Sequence, residues 1–159
     1  MTTTTSPSVL TLDALRDHWQ GHRALTRRVI LAIPEDQLFT FSIGGMRSLG
    51  DLAWEAYGVA AYNVQGLTTD DWSWNPPAGE LPRDRAALLA AWDALTPQID
   101  AALPAADPAW FTVPQQMAWG TMAPLHSVQY GIDNEIHHRG QGYVYLRALG
   151  IEPPAFYER

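Results

Sequence analysis

The amino-acid sequence predicts an all-α protein, a four-helix bundle with long loops after its second and third helices. In four separate segments, apolar residues recur every three or four positions, the spacing that lines one face of an α-helix. No segment shows the alternation of apolar and polar residues that is typical of a half-buried strand. Four amphipathic helices bury their apolar faces most simply by packing around one shared core.

The composition fits one folded domain. The chain has 159 residues, of which 47% are apolar and 17% charged, and this is enough for one continuous core. We expect a flexible N-terminal tail over residues 1–10 and a single domain over residues 11–159. The tail lacks the basic start and apolar run of a signal peptide, and no apolar stretch is long enough to span a bilayer. The expected location is the cytoplasm, with no membrane partner.

Charge and cysteine content exclude several kinds of site. The net charge is -7 with only 10 Lys and Arg residues, which argues against a nucleic-acid partner because such partners are bound largely through basic side chains. The chain has no cysteine, so disulfides, thiolate nucleophiles and thiolate metal ligands are excluded. Any metal must be bound by histidine, carboxylate, amide or water.

The first predicted helix begins at Leu12 and ends before Pro34, which cannot continue a helix. Its apolar face is interrupted in the middle by His22 and Thr26. A polar residue in a core-facing stripe is usually a hydrogen-bonded core residue. The alternative interpretation is that His22 lies next to a functional site.

The second predicted helix begins at Ser48, which forms a Ser-x-x-Asp capping pattern with Asp51. Glu55 lies at the edge of the apolar face of this helix, so its side chain is not obviously directed to solvent. The third helix is predicted over residues 84–103, with a kink or local break at Pro97.

The two long connections contain most of the tryptophans of the chain. Their aromatic residues are Trp72, Trp74, Trp110, Phe111 and Trp119. Two interpretations are open: these side chains are ordinary lids over the bundle, or they form an aromatic mouth of a binding site or a dimer surface.

The last helix, predicted over residues 124–149, carries several polar side chains in its middle. The 3.6-residue repeat places four of them on one face: Asn134, His138, Gln141 and Tyr145. Two ligand-capable side chains one turn apart can bind one divalent cation, and Asn134 with His138 has this spacing. Asp133 with His137 has the same spacing on a neighbouring face. By spacing alone, the alternative that these are ordinary surface residues is open.

The residues around His138 resemble a known family. The stretch EIHHRGQ (135–141), followed by YLR (145–147), Gly150 and PP (153–154), resembles the C-terminal signature of the DinB/YfiT-like family. The stretch SLGDL (48–52) resembles the start of that family's second helix. The order of helices and loops agrees over nearly the whole chain, and the resemblance implies the same four-helix bundle.

The resemblance also implies a divalent metal bound by three histidines, one on the second helix and two one turn apart on the last. The matching positions of this chain are Glu55, Asn134 and His138, so only one of the three is a histidine. One nitrogen and two oxygen ligands suit Zn, Mn, Ni, Mg or Ca, with water completing the coordination. The alternative is a site without metal, in which Glu55 accepts a charge-assisted hydrogen bond from His138.

Two functions follow from the resemblance. The first is a metal-dependent enzyme that transfers a low-molecular-weight thiol to an electrophile, or isomerises a substrate with such a thiol, with His22, Gln141 and Tyr145 lining the substrate pocket. The second is a noncatalytic, metal-free bundle that binds a small molecule or forms a stress-associated dimer. The resemblance further implies that the protein is a homodimer.

Overall fold

The structure is a computed structural model that describes residues 9–76 and 78–159. Its elements in chain order are α1 (Leu12–Ala32), α2 (Leu49–Thr69), α3 (Arg85–Ala105), the short α4 (Pro108–Phe111), β1 (Gln115–Met117), β2 (Gly120–Met122) and α5 (Pro124–Ala148). The four long helices form the predicted four-helix bundle, with long connections after α2 and α3. No helix in these two ranges is long and apolar enough to cross a membrane.

The hairpin of β1 and β2 corrects the expectation that the chain contains no strand. The two strands are antiparallel, with Gln115 opposite Met122, and each has only three residues. Strands this short cannot show an alternating pattern in the sequence. Of the predicted flexible tail, residues 1–8 lie outside the described residues, and Val9 and Leu10 have exposed side chains.

Side-chain caps begin three of the long helices. Thr11, Ser48 and Asp84 each accept a hydrogen bond from the backbone N–H three residues further along the chain. The predicted cap at Ser48 is confirmed. α5 begins instead with Pro124, whose fixed φ suits the first helical position.

Of the two alternatives predicted at Pro97, a kink or a local break, the break is wrong, because α3 is continuous from Arg85 to Ala105. A proline removes one backbone hydrogen bond but leaves the rest of the helix intact. Leu95 and Ile99, on either side of Pro97, are buried against the other helices and hold this segment in the bundle.

Contacts between the helices show that they run up, down, down and up in chain order. The side chain of Arg85, at the start of α3, contacts the carbonyl oxygen of Ile33, just after α1. Gln20, nearer the start of α1, donates to the carbonyl oxygen of Thr96, so α1 and α3 are antiparallel. α2 and α5 are also antiparallel, since Gly142 packs against Leu49 whereas Gly131 packs near Asn63.

This order explains the long connection after α2. Because α2 and α3 run in the same direction, the chain must return along the bundle between them. Its end lies beside the start of α2, where Arg83 pairs with Asp51 at 3.0 Å and Trp54 Nε1 donates to the carbonyl oxygen of Pro82.

The core consists of two apolar halves with a polar layer between them. One half contains Val29, Leu52 and Leu146, and the other contains Leu15 and Ile132. Between these halves lie buried polar side chains from α1 and α5: His22, Arg23, Thr26, Glu135, His138 and Arg139. Buried polar groups are costly unless they are hydrogen-bonded, so this layer is the part of the bundle in which to look for function.

Candidate functional site

Three polar side chains converge where α5 packs against α2. Asn134 and His138 lie one turn apart on α5 and face Glu55 on α2. Glu55 Oε1 lies 2.8 Å from His138 Nε2 and 3.1 Å from Asn134 Nδ2. Asn134 Nδ2 lies 3.2 Å from His138 Nε2. The structure thus brings together the three residues at the positions where the resemblance implies metal ligands, and we call them the Glu55 triad.

Glycines of α5 allow the two helices to approach closely on both sides of the triad. A methyl group at position 131 would lie 3.0 Å from Asn63 Nδ2, and one at position 142 would lie 2.8 Å from Leu49 Cδ1. Both glycines have buried backbones. The short distance between α2 and α5 lets short side chains such as Asn134 reach across the interface.

Arg47 is a fourth member of the site that the sequence did not single out. Its Nη1 lies 2.5 Å from Glu55 Oε2, so the two carboxylate oxygens have different partners. The fully buried Tyr145 donates a hydrogen bond of 2.7 Å to the carbonyl oxygen of Arg47. Tyr145 therefore lies behind the triad and positions the segment that carries Arg47. The only sequence signal for Arg47 is its place directly before the Ser48 cap.

The hydrogen bonds of the triad keep Glu55 ionised. Burial raises the pKa of this carboxyl, but hydrogen bonds from His138, Asn134 and Arg47 outweigh the burial and lower the pKa to about 2. The side chain of Glu55 is 34% exposed, whereas that of His138 is 9% exposed. The carboxylate of Glu55 thus reaches the surface, whereas its partner His138 is largely buried.

Two buried atoms of the triad have no hydrogen-bond partner among the described residues, Asn134 Oδ1 and His138 Nδ1. The first is a carbonyl oxygen, a ligand type that hard divalent cations prefer. Cis ligands of an octahedral cation lie about 3 Å apart, and Glu55 Oε1 and His138 Nε2 are 2.8 Å apart, whereas Asn134 presents its amide Nδ2 to them and would need to turn its amide over to offer Oδ1. The donor set therefore fits a hard divalent cation.

Asn134 is essential to that fit. Within the described ranges, no three His, Cys, Asp or Glu side chains form a group that could hold a metal ion. Two features oppose a cation: the positive charge of Arg47 on Glu55, and the lack of a partner for His138 Nδ1, since a metal-binding imidazole usually donates its second N–H.

Comparison with known proteins identifies the family of this chain. A model of the DinB family matches residues 1–159. The chain belongs to the DinB family. No curated protein sequence matches it.

Solved structures of DinB-like proteins share its fold. One from Bacillus cereus ATCC 10987 is 18% identical, covers 92% of this chain and 98% of its own, and has a TM-score of 0.74. Another, from Bacillus subtilis, is 17% identical, covers 91% of this chain and 97% of its own, and has a TM-score of 0.72. Likeness at this level of identity shows the fold, and the chemistry must be argued from the residues of this chain.

In this DinB-family protein, the aromatic residues of the connections separate into two groups. Trp72 and Phe111 are buried, as lids over the bundle would be. Trp74 and Trp119 are 39% and 46% exposed, and their rings lie 5.0 Å apart. Trp74 covers Gly58, which lies one turn along α2 from Glu55. An exposed aromatic surface thus begins beside the triad.

The other predicted pocket residues do not join the triad. The side chain of Gln141 lies 3.1 Å from His137 Nε2, on the exposed side of α5. His22 lies on α1, where its ring contacts the side chains of Arg139 and Arg159. The role of Gln141, His22 and Tyr145 in substrate binding stays a prediction.

A second buried polar cluster links α1 with α5, and of its members the sequence singled out Thr26, as a polar break in the apolar face of the first helix. The hydroxyl of Thr26 donates to Glu135 Oε1 at 2.5 Å and accepts from Arg139 Nη1 at 3.0 Å. Burial raises the pKa of Glu135, and the Thr26 hydrogen bond and the nearby arginines Arg23 and Arg139 reduce this shift without cancelling it. Helical periodicity alone would have placed Glu135 and Arg139 on one face, four residues apart.

Proposed function

We propose that this DinB-family protein is a divalent-cation-dependent enzyme whose cation is bound by Glu55, Asn134 and His138. The observation that carries the proposal is the 2.8 Å approach of Glu55 Oε1 to His138 Nε2 beside the amide of Asn134, whose buried Oδ1 has no partner among the described residues and could replace Nδ2 if the amide turned over. A bound divalent cation would supply one kind of chemistry here, because it lowers the pKa of a thiol or water that coordinates it. A low-molecular-weight thiol is the proposed cosubstrate.

The protein's own residues would hold and orient the reactants. The ionised Glu55 supplies the negative charge of the site through Oε1, while Arg47 neutralises and fixes Oε2. Trp74 and Trp119 supply an exposed apolar surface one turn away, against which the organic part of a substrate would pack. A charged site for the cation next to an apolar surface for the substrate supports transfer of a small thiol to an apolar electrophile.

A second candidate function is supported by the ion pair of Arg47. Glu55 already has three hydrogen-bonding partners, and one of them is a cation. In this alternative, no metal is bound, and the triad is a polar network that binds a small molecule without catalysis. The homodimer, and a location in the cytoplasm, stay predictions under either function.

Metal titration tests the proposal. Purified protein, stripped with a chelator and titrated with Mn²⁺ or Zn²⁺ by calorimetry, should bind one equivalent of metal. Glu55→Gln and His138→Ala should each weaken the binding by roughly 100-fold, because the first removes the negative charge of a ligand and the second removes a ligand altogether. His126→Ala is the matched control, since His126 is an exposed histidine about two turns before Asn134 on α5; it should leave the affinity unchanged.

Arg47→Ala separates the two candidates. In the metal-dependent case the loss of a neighbouring positive charge should strengthen Mn²⁺ binding, by several-fold for a partly exposed charge. In the metal-free case neither the wild type nor Arg47→Ala binds metal. Stoichiometric binding that survives both Glu55→Gln and His138→Ala would place the ligands elsewhere and end the proposal.

A further inference from the structure

A pocket of about 660 Å³ lies between α5 and the segment that follows it, on the side of α5 that faces α1. The Glu55 triad lies on the side that faces α2, so the two sites are separated by the helix itself. The charged residues that line the pocket are Arg139, Arg147, Arg159 and Glu152. We call this the arginine pocket.

Two arginines share one imidazole at the base of this pocket. Arg159 Nη1 lies 2.7 Å from His22 Nε2, and Arg139 Nη2 lies 2.9 Å from His22 Nδ1. A neutral imidazole has one acceptor nitrogen, because the other carries hydrogen. His22 is neutral, since burial and the charges of Arg139 and Arg159 lower its pKa to about 3. One of these two close contacts therefore places a guanidinium N–H against the imidazole N–H, although Arg139 also donates to Thr26 Oγ1 and Arg159 Nη1 lies 3.2 Å from His22 Nδ1.

The charge of the pocket is also unbalanced. Arg147 makes no ion pair with the described residues, and its guanidinium lies 5.9 Å from the centre of the Tyr143 ring. Of the three arginines, Arg139 alone pairs with a carboxylate among the described residues, that of Glu135 at 3.9 Å. Glu152 is the single acidic residue among the described residues that line the pocket. In a protein of net charge -7, a concentration of three arginines is a local exception.

Aromatic side chains form the rim of the pocket. Phe156 and Tyr157 are 67% and 71% exposed, and their ring centres lie 5.6 Å apart. Tyr143 donates a hydrogen bond of 2.7 Å to the carbonyl oxygen of Pro154 and so ties this segment to α5. The pocket thus combines a basic base with an apolar rim, which is the arrangement expected for an organic anion.

We propose that the arginine pocket binds a small organic anion, whose carboxylate or phosphate group accepts hydrogen bonds from Arg139, Arg147 and Arg159. Guanidinium groups match both anions in geometry and charge. The anion supplies the acceptor that His22 cannot, and its organic part packs against Phe156 and Tyr157. This site is independent of the metal proposed for the Glu55 triad.

Titration of the whole protein with small probe anions tests the proposal. Inorganic phosphate and malonate probe the two head groups, and phenyl phosphate adds an aromatic body. At low ionic strength at least one of phosphate and malonate should saturate at millimolar concentration and shift the backbone amide resonances around Arg139 and Arg159. Phenyl phosphate should bind more tightly than inorganic phosphate. If it does not, the proposal that the ligand has an organic part is wrong.

Charge-matched variants locate the binding. Arg147→Gln should weaken the affinity roughly tenfold, because one charge-assisted hydrogen bond is lost. Arg16→Gln is the control, since it removes the same charge from an α1 arginine that already pairs with Asp13 and Asp17. Circular dichroism checks that both variants fold. Failure of both phosphate and malonate to bind, or an equal loss of affinity in Arg16→Gln, would overturn the proposal.

Discussion

The Glu55 triad and the arginine pocket lie on opposite sides of the same helix and have opposite electrostatic character. The triad is centred on an ionised carboxylate and, among the described residues, has an unpartnered carbonyl oxygen, which are the features behind the proposed cation. The arginine pocket has three guanidinium groups around a neutral imidazole, so it favours an anion. Two neighbouring residues, His138 and Arg139, divide these roles between them.

This difference shows how one short motif can serve two sites. Successive residues of an α-helix point about 100° apart, because the helix has 3.6 residues per turn. His138 therefore faces α2 while Arg139 faces α1. α5 lies between these two helices, so a polar sequence in its middle reaches both interfaces.

The largest expected effect is the loss of Arg139, because the α1 side depends on it for buried hydrogen bonds. Its guanidinium donates to the carbonyl oxygen and ring of His22 and to the hydroxyl of Thr26. Arg139→Met should lower the free energy of unfolding by about 3 kcal/mol, measured by urea denaturation. Arg147→Met makes the same chemical change at an exposed position and should change stability by less than about 0.5 kcal/mol. Equal effects would show that Arg139 is not structurally special.

Where α5 packs against α2, the stability of the protein should be sensitive to the close approach of the two helices. In Gly142→Ala the new methyl group would lie 2.8 Å from Leu49 Cδ1 and 3.2 Å from Val29 Cγ1, so we expect a loss of about 1–2 kcal/mol. At Gly140, two residues away, a methyl group would have no neighbour within 4 Å. Gly140→Ala should therefore stabilise the protein by up to about 1 kcal/mol through helix propensity. Thermal unfolding of the two variants compares them directly, and a stabilising Gly142→Ala would contradict the close packing.

The arginine pocket should make the protein sensitive to mild acid. The pKa of His22 is lowered from 6.5 to about 3 in the folded state, so His22 binds a proton more readily when the protein is unfolded. Its contribution to stability is complete above pH 6.5 and is lost as the pH falls toward 3. We expect a loss of about 1 kcal/mol between neutral pH and about pH 5, after allowance for solvent screening. In His22→Gln this part of the pH dependence should disappear, and an unchanged profile would contradict the neutral state of His22.

The contribution of the Glu55 triad to stability should change only at a lower pH than that of His22, and by a smaller amount. The pKa of Glu55 is lowered from 4.5 to about 2, so its contribution to stability is present above pH 4.5 and is lost as the pH falls toward 2. Because Glu55 is partly exposed, the total effect should be about 1 kcal/mol or less. Chelator-treated wild type and Glu55→Gln should differ in stability at neutral pH and converge below pH 4.5. A constant difference across this range would show that Glu55 does not titrate in this way.

The fold could be predicted from the sequence because it rests on local signals. Apolar spacing gave the four long helices, and the Ser48 cap was read correctly from its capping pattern. The β1–β2 hairpin was missed because three-residue strands carry no periodic signal, and the break at Pro97 was wrongly expected because packing overrides a single lost hydrogen bond.

The composition of the Glu55 triad was also accessible from the sequence, since helix spacing pairs Asn134 with His138 and the family resemblance adds Glu55. The residues that surround the triad could not be predicted from the sequence. Arg47 lies outside the regular helices, and its contact with Glu55 depends on how the segment before α2 packs on Tyr145. The buried His22 contacts Arg139 and Arg159, and these partners depend on how α1 and the C-terminal segment pack against α5.

The sequence by itself therefore determined the helices, the DinB-family membership and the polar motif at the centre of α5. Only the tertiary structure decided that this motif faces two interfaces, with an anionic site on one side and a cationic pocket on the other. The physical reason is that periodicity is a property of neighbouring residues along one helix. The charge that each face meets is set by other helices, more than a hundred residues away for the contact between His22 and Arg139.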